Sequence, residues 1–184
     1  MEPLHIVAIS GSLRAGSFNS ALVEAARELA PAAMRIELGA IGDLPLYNAD
    51  LDADGGPPPV RRLKDQVSAA DGLLIATPEY NYGIPGGLKN AIDWVSRPAY
   101  RSPLAHKPVA IMGATISAAG TARAQGQLKQ VLLGTLSEVF PHPEVLVAHA
   151  QTRFDAERRL TDQATRDALA TMLERYAAWL RRGR

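Results

Sequence analysis

The sequence predicts an α/β protein: a three-layer doubly wound sandwich on a five-stranded parallel sheet, with residues 1–184 forming one domain. Three observations carry that expectation. Short apolar runs with little polar alternation recur along the chain, as strands buried on both faces require. Stretches of helical periodicity separate them, and such alternation implies parallel strands joined by crossover helices. Turn residues gather directly after the first and third runs, where a parallel sheet presents the carboxyl ends of its strands.

The first run is HIVAIS (5–10), after which Phe18, Ala21, Leu22, Ala25 and Leu29 fall on one helical face. MRIELGAI (34–41) is the second strand. LPLYNADLDADGGPPPV (44–60) is acidic and rich in Pro and Gly, which predicts a long surface loop, and Val60, Leu63 and Val67 mark a weaker helix after it. GLLIAT (72–77) is the third strand, followed by a helix carrying Leu88, Ala91, Ile92 and Val95. That helix ends before Pro98, inside the proline-rich stretch 95–108. VAIMGAT (109–115) is the fourth strand, and Ala124, Leu128, Val131 and Leu132 define the next helix. EVLVAHA (144–150) is the fifth strand. The last helix places Leu169, Met172, Leu173, Tyr176 and Leu180 on one face, and its terminal Arg181, Arg182 and Arg184 suit the negative end of a helix dipole.

Charge and composition narrow the function. With 20 basic and 19 acidic residues the formal net charge is +1, so no electrostatic excess points to nucleic acid or an anionic membrane, and a small-molecule partner is expected. Cysteine is absent, which removes disulfides, thiolate nucleophiles and Cys-ligated metals, and leaves any redox chemistry to a cofactor. MEPLHIVAIS lacks a basic leader region, and no apolar run approaches the roughly 20 residues of a membrane span, so a cytoplasmic protein is expected.

The turn SGSLRAGSFN (10–19) lies where the first strand hands over to a helix. Gly11 and Gly16 permit backbone conformations costly for other residues, and Ser12, Ser17 and Asn19 add short polar side chains. Backbone N–H groups and the positive end of the helix then favour a phosphate. Taken singly, Ser17 and Asn19 read equally as helix caps and Arg14 as a solvated charge. Other phosphate motifs fail: Ser17-Phe18 stands where a nucleotide-triphosphate loop needs Lys and then Ser or Thr, and the dinucleotide G-x-G-x-x-G pattern is missing. No G-x-S-x-G elbow is present for a serine hydrolase either.

TPEYNYGIPGGLKNAIDW (77–94) follows the third strand. In the flavodoxin-like strand order 2-1-3-4-5 this turn flanks the first one across the switch point, the crevice that holds FMN in such folds. Pro78 and Pro85 stiffen the loop, whereas Gly83, Gly86 and Gly87 let a flat ring approach the backbone. Pro78, Tyr80, Asn81 and Tyr82 can supply both an apolar wall and backbone groups for an isoalloxazine edge.

Taken together, GSLRAGSFN and PEYNYGIPGGLKNAIDW resemble the NADPH-dependent FMN reductase family, the flavodoxin-like quinone and chromate reductases and their azoreductase relatives. The resemblance extends over almost the whole chain. It implies that the turn Ser12–Asn19 holds the FMN phosphate, with Gly11, Ser12, Leu13, Arg14, Ser17, Phe18 and Asn19 as its cofactor-binding residues. It implies also that the loop Pro78–Asn81, that is Pro78, Glu79, Tyr80 and Asn81, holds the isoalloxazine, and Tyr82 and Gly83 are counted with them as cofactor-binding. Thr115, in Gly113-Ala114-Thr115, matches a segment that adds a hydroxyl contact to the flavin in that family. The implied chemistry is ping-pong hydride transfer from NADPH or NADH through FMN to a quinone or a similar acceptor such as chromate, an azo compound or free flavin. Orientation of the cofactor then matters more than any catalytic acid or base, and no catalytic side chain is named. The family also implies a homodimer or homotetramer in which a second subunit helps to form the pocket.

Other candidate features read as structural. His142, Glu144 and His149 fit no zinc spacing, so no metal is expected. Trp94 and Tyr100 read as packing or interface residues, and Asp50, Asp52 and Asp54 as a solvated or subunit-docked loop. The alternative function is a non-enzymatic flavodoxin-type electron carrier, against which the charge of +1 and the sequence Gly11-Ser12-Leu13-Arg14 both argue. A regulatory protein that kept the fold without flavin would be colourless.

Overall fold

The computed structural model describes residues 2–182, so Arg184 of the expected C-terminal arginine cluster lies outside the described residues. The chain runs β1 (Leu4–Ser10), α1 (Phe18–Leu29), β2 (Met34–Leu38), α2 (Pro58–Ala69), β3 (Gly72–Ala76), α3 (Gly86–Val95), β4 (Pro108–Ala114), α4 (Ala122–Gly134), β5 (Glu138–Val139), β6 (Val145–Val147) and α5 (Gln163–Arg182). The strand order is β2-β1-β3-β4-β5, with β6 also paired to β4, and all pairings are parallel.

Side chains along each central strand alternate between two cores, as pleating requires. Ile6, Ala8, Leu74, Ala76, Ala110 and Met112 face α1 and α5. Val7, Ile9, Leu73, Ile75, Val109 and Ile111 face α2, α3 and α4. Burial on both faces is why these runs lack polar residues, and it leaves the strand ends as the place for chemistry.

The expected fifth strand is corrected. Instead of one strand over 144–150, two short segments pair with β4: Glu138–Val139 beside Pro108–Val109, and Val145–Val147 beside Met112–Ala114. Pro141 and Pro143 lie between them, and without an N–H neither can donate to a ladder. The second strand is likewise shorter than expected, ending at Leu38.

The loop after β2 contains two 3₁₀ turns, Ala49–Leu51 and Ala53–Gly55, and is fastened to α3. The fully buried Trp94 donates from Nε1 to the Pro45 carbonyl at 2.8 Å, and the Asn90 carboxamide accepts from Tyr47 N at 2.8 Å and donates to Pro45 O at 2.9 Å. Asp52 pairs with Lys64 at 3.0 Å. Tyr100 is exposed. Among the described residues no helix is long and apolar enough to cross a membrane.

Candidate functional site

The two turns singled out in the sequence meet at the carboxyl ends of β1 and β3. Gly11 N donates to Ala76 O at 2.8 Å, and a Cβ on Gly11 would stand only 3.1 Å from Leu88 Cδ2 and 3.3 Å from Pro78 Cδ. Glycine is therefore used here for close approach of the first turn to the second loop. Ser12 is buried, with Oγ 3.4 Å from Tyr80 Oη, so the two segments touch across the crevice.

Ser17 is the N-cap of α1, its Oγ accepting from Asn19 N at 3.1 Å and Ser20 N at 3.4 Å. The first N–H of the helix keeps no acceptor within the helix. Leu13 and Arg14 are exposed on the turn, and the Arg14 carbonyl accepts from Ser17 N at 3.1 Å. Segment 10–20 contains no carboxylate. Its donors are hydroxyls, a helix N-terminus and a guanidinium without a carboxylate partner among the described residues, a set that suits a phosphate dianion. On chemistry the residues present fit the phosphate end of FMN.

Three expected contact residues turn their side chains elsewhere. Phe18 is buried in the core, its ring 5.3 Å from that of Phe154. Asn19 is 3 % exposed, and its carboxamide bridges to β4, donating to Ala114 O at 2.8 Å and accepting from Ala114 N at 2.9 Å. Glu79 points to α4, where its Oε2 accepts from Arg123 N at 3.1 Å and Ala124 N at 3.2 Å while the Arg123 guanidinium pairs with Oε1. Because the N-cap Thr121 makes no side-chain capping bond, this carboxylate supplies the missing acceptor at the start of α4. These side chains position the two turns rather than line the crevice.

The loop beyond Pro78 is a tight hairpin. Tyr80 and Gly83 exchange both backbone hydrogen bonds at 3.0 Å, and the two residues between them, Asn81 and Tyr82, have φ of 49° and 67°. Positive φ at both central positions is the type I′ turn, unfavourable for a tyrosine. Two α4 side chains hold it: Gln127 Oε1 accepts from Ile84 N at 2.7 Å, and the Arg123 guanidinium lies 4.0 Å from the Tyr82 ring centroid. Sequence reasoning missed Arg123 and Gln127, since neither belongs to a motif. Thr115 is half-buried at the end of β4, its backbone tied to Val147 and Ala150 and its Oγ1 3.4 Å from Ser117 N.

Burial opposes a charge on Glu79, but the Arg123 guanidinium and the Ala124 and Arg123 N–H groups outweigh it and hold the carboxyl below its ordinary value of 4.5. A lowered folded pKa gives stability that is complete above the ordinary value and is lost as pH falls through the folded one. The melting temperatures of wild type and Glu79→Gln are therefore expected to differ at neutral pH and to converge below about pH 4.5. A difference that persists unchanged into strong acid would show that the charge on Glu79 contributes nothing.

A separate cavity of about 620 Å³, lined by Asp71, His106, Glu138 and Trp179, opens at the amino ends of β3 and β4, away from both turns. Parallel sheets of this type bind ligands at the other end.

Comparison with known proteins shows the family. A family model for NADPH-dependent FMN reductase matches residues 4–152. The chain is 48% identical to an NAD(P)H-dependent FMN reductase of Pseudomonas aeruginosa, covering 98% of this chain and 97% of that relative. It is 44% identical to a 2-hydroxy-1,4-benzoquinone reductase of a Burkholderia species, with 97% of each covered. Among solved structures it is similar to FerB, a flavoenzyme NAD(P)H:(acceptor) oxidoreductase of Paracoccus denitrificans, with a TM-score of 0.89 at 36% identity over 97% of this chain and 98% of that one. With the phosphate-type turn and the facing hairpin at the β1/β3 switch point of a 2-1-3-4-5 sheet, the chain belongs to the NADPH-dependent FMN reductase family.

Proposed function

We propose that this oxidoreductase uses bound FMN to carry two electrons from NAD(P)H to a quinone, the two substrates taking turns at one face of the site. The observation that carries the reading is the meeting of the two turns, Ser12 Oγ lying 3.4 Å from Tyr80 Oη beside the exposed Arg14. Ser12, Arg14, Ser17 and the start of α1 would hold the phosphate, and the hairpin at 78–83 would hold the ring edge, with Thr115 offering a hydroxyl from β4. FMN, when bound, supplies hydride acceptance and donation. The protein orients both substrates and excludes other routes. Overall, one hydride from NAD(P)H and one proton from water convert the quinone to its hydroquinone. The relatives named quinone reductase and 2-hydroxy-1,4-benzoquinone reductase support a quinone ahead of chromate, azo compounds or free flavin as acceptor.

Were the flavin ring held between the two turns, one entrance would remain, so initial rates against NADPH at several quinone concentrations are expected to give parallel lines, with quinone competing against NADPH at high concentration. Intersecting lines would require a ternary complex and overturn the shared face. Purified protein is expected to be yellow or to take up added FMN, and Arg14→Ala to weaken that uptake about tenfold or more, the scale of one charge-assisted hydrogen bond. We infer also a homodimer or homotetramer working in the cytoplasm; the assembly is supported by exposed Leu46 and Tyr82 on the loops after β2 and β3. Light scattering of an active monomer would reject the assembly.

A further inference from the structure

A second arginine, far from either motif, reaches the phosphate turn. Were a Cβ present on Gly16, its neighbours would be Arg158 Nη2 at 3.7 Å and Arg14 Nη1 at 3.8 Å, so two guanidinium groups flank the residue before the α1 N-cap. Arg158 lies between β6 and α5 in a small turn closed by Asp155, whose carbonyl accepts from Arg158 N at 3.1 Å and whose amide donates to Arg159 O at 3.0 Å. Its φ of 65° is unfavourable for an arginine. The guanidinium lies over Phe18, 4.3 Å from the ring centroid, which fixes it beside the turn.

The charges around Arg158 are otherwise matched. Arg153 pairs with Asp162, Arg159 with Asp155 and Glu157, and Arg166 with Glu28. Glu24 is taken by Arg27. Among the described residues Arg158 and Arg14 have no carboxylate partner. Two cations brought together without a counter-charge repel each other, and a dianion between them reverses the sign of that interaction.

We propose that Arg158 is a second guanidinium on the FMN 5′-phosphate, acting with Arg14 at the start of α1. The proposal rests on the FMN reading above and deepens it. It gives Phe18 a part in the site without contact with the ligand, as the platform on which Arg158 lies. It also makes retention of FMN depend on a segment beyond residue 152, outside the stretch the family model matches.

The test compares binding of FMN with binding of riboflavin, which lacks the phosphate, in wild type, Arg158→Ala and Arg158→Lys, by flavin fluorescence or calorimetry. Arg158→Ala is expected to weaken FMN binding about tenfold or more while leaving riboflavin unchanged, and Arg158→Lys to recover part of the loss. An equal loss for both flavins would overturn the proposal, because the arginine would then only support Phe18. Unchanged FMN affinity, alone or with a raised KM for NADPH and not NADH, would overturn it as well, the second result assigning the guanidinium to the nicotinamide cofactor's extra phosphate. Wild-type protein that binds no FMN would overturn the underlying functional reading instead.

Discussion

Asn19→Ala is expected to destabilise the protein by about 2–6 kcal/mol and to abolish tight FMN binding. The carboxamide satisfies both the N–H and the carbonyl of Ala114 at 2.9 and 2.8 Å in the interior. Removing it strands two backbone groups, each costing about 1–3 kcal/mol, against a total stability of about 5–15 kcal/mol. It also frees the start of α1 from the end of β4, so the phosphate turn and the Thr115 segment lose their common anchor. Asn19→Asp keeps an acceptor for the Ala114 N–H but sets an oxygen against the Ala114 carbonyl, and so is expected to be as damaging as alanine despite its shape. Urea unfolding with FMN titration checks both variants. A loss under about 1 kcal/mol with normal FMN uptake would remove Asn19 from this role.

Gly113→Ala is expected to cost about 3 kcal/mol or more, at the upper end of overpacking effects. The new methyl would fall well inside van der Waals contact of Thr121 Oγ1 and the Thr77 carbonyl oxygen. Thr121 is fully buried, with Oγ1 accepting from Gln125 Nε2 at 3.0 Å, so it has no free direction of retreat. Thr77 N is bonded to Met112 O at 2.9 Å, which ties the offending carbonyl to the sheet. In the double variant Gly113→Ala/Thr121→Ala the hydroxyl obstacle goes and the carbonyl obstacle stays, so partial recovery is expected in thermal and urea unfolding. Full recovery would place the whole conflict on Thr121.

Most of the fold could be read from the sequence because each buried strand is an unbroken apolar run and each helix carries its own period. Even α2, with only Val60, Leu63 and Val67 to mark it, forms where expected. The last strand position was misread because β5 is two residues long, too short for any period, and Pro141 and Pro143 separate it from β6. The site divides in the same way. Gly11, Ser12 and Tyr80, which the structure brings together, could be singled out because they sit in two compact turns of local sequence. The roles of Asn19 and Glu79 were not, since their partners Ala114 and Ala124 stand 95 and 45 positions along the chain. Arg158 belongs to the same class: only the fold brings a loop after β6 back to Gly16.

The broken strand also bears on how the sheet's outer boundary meets other chains. An uninterrupted edge beside β4 would offer a row of free N–H and carbonyl groups to any passing extended segment, the usual start of edge-to-edge aggregation. Here that row is two residues, a proline-bearing gap and three residues, too short and too irregular to seat a foreign strand. The opposite boundary, β2, is five residues long and carries Arg35 and Glu37 on its polar face. Both margins thus discourage sheet extension, so any contact between copies of this chain is expected to form through helices and loops.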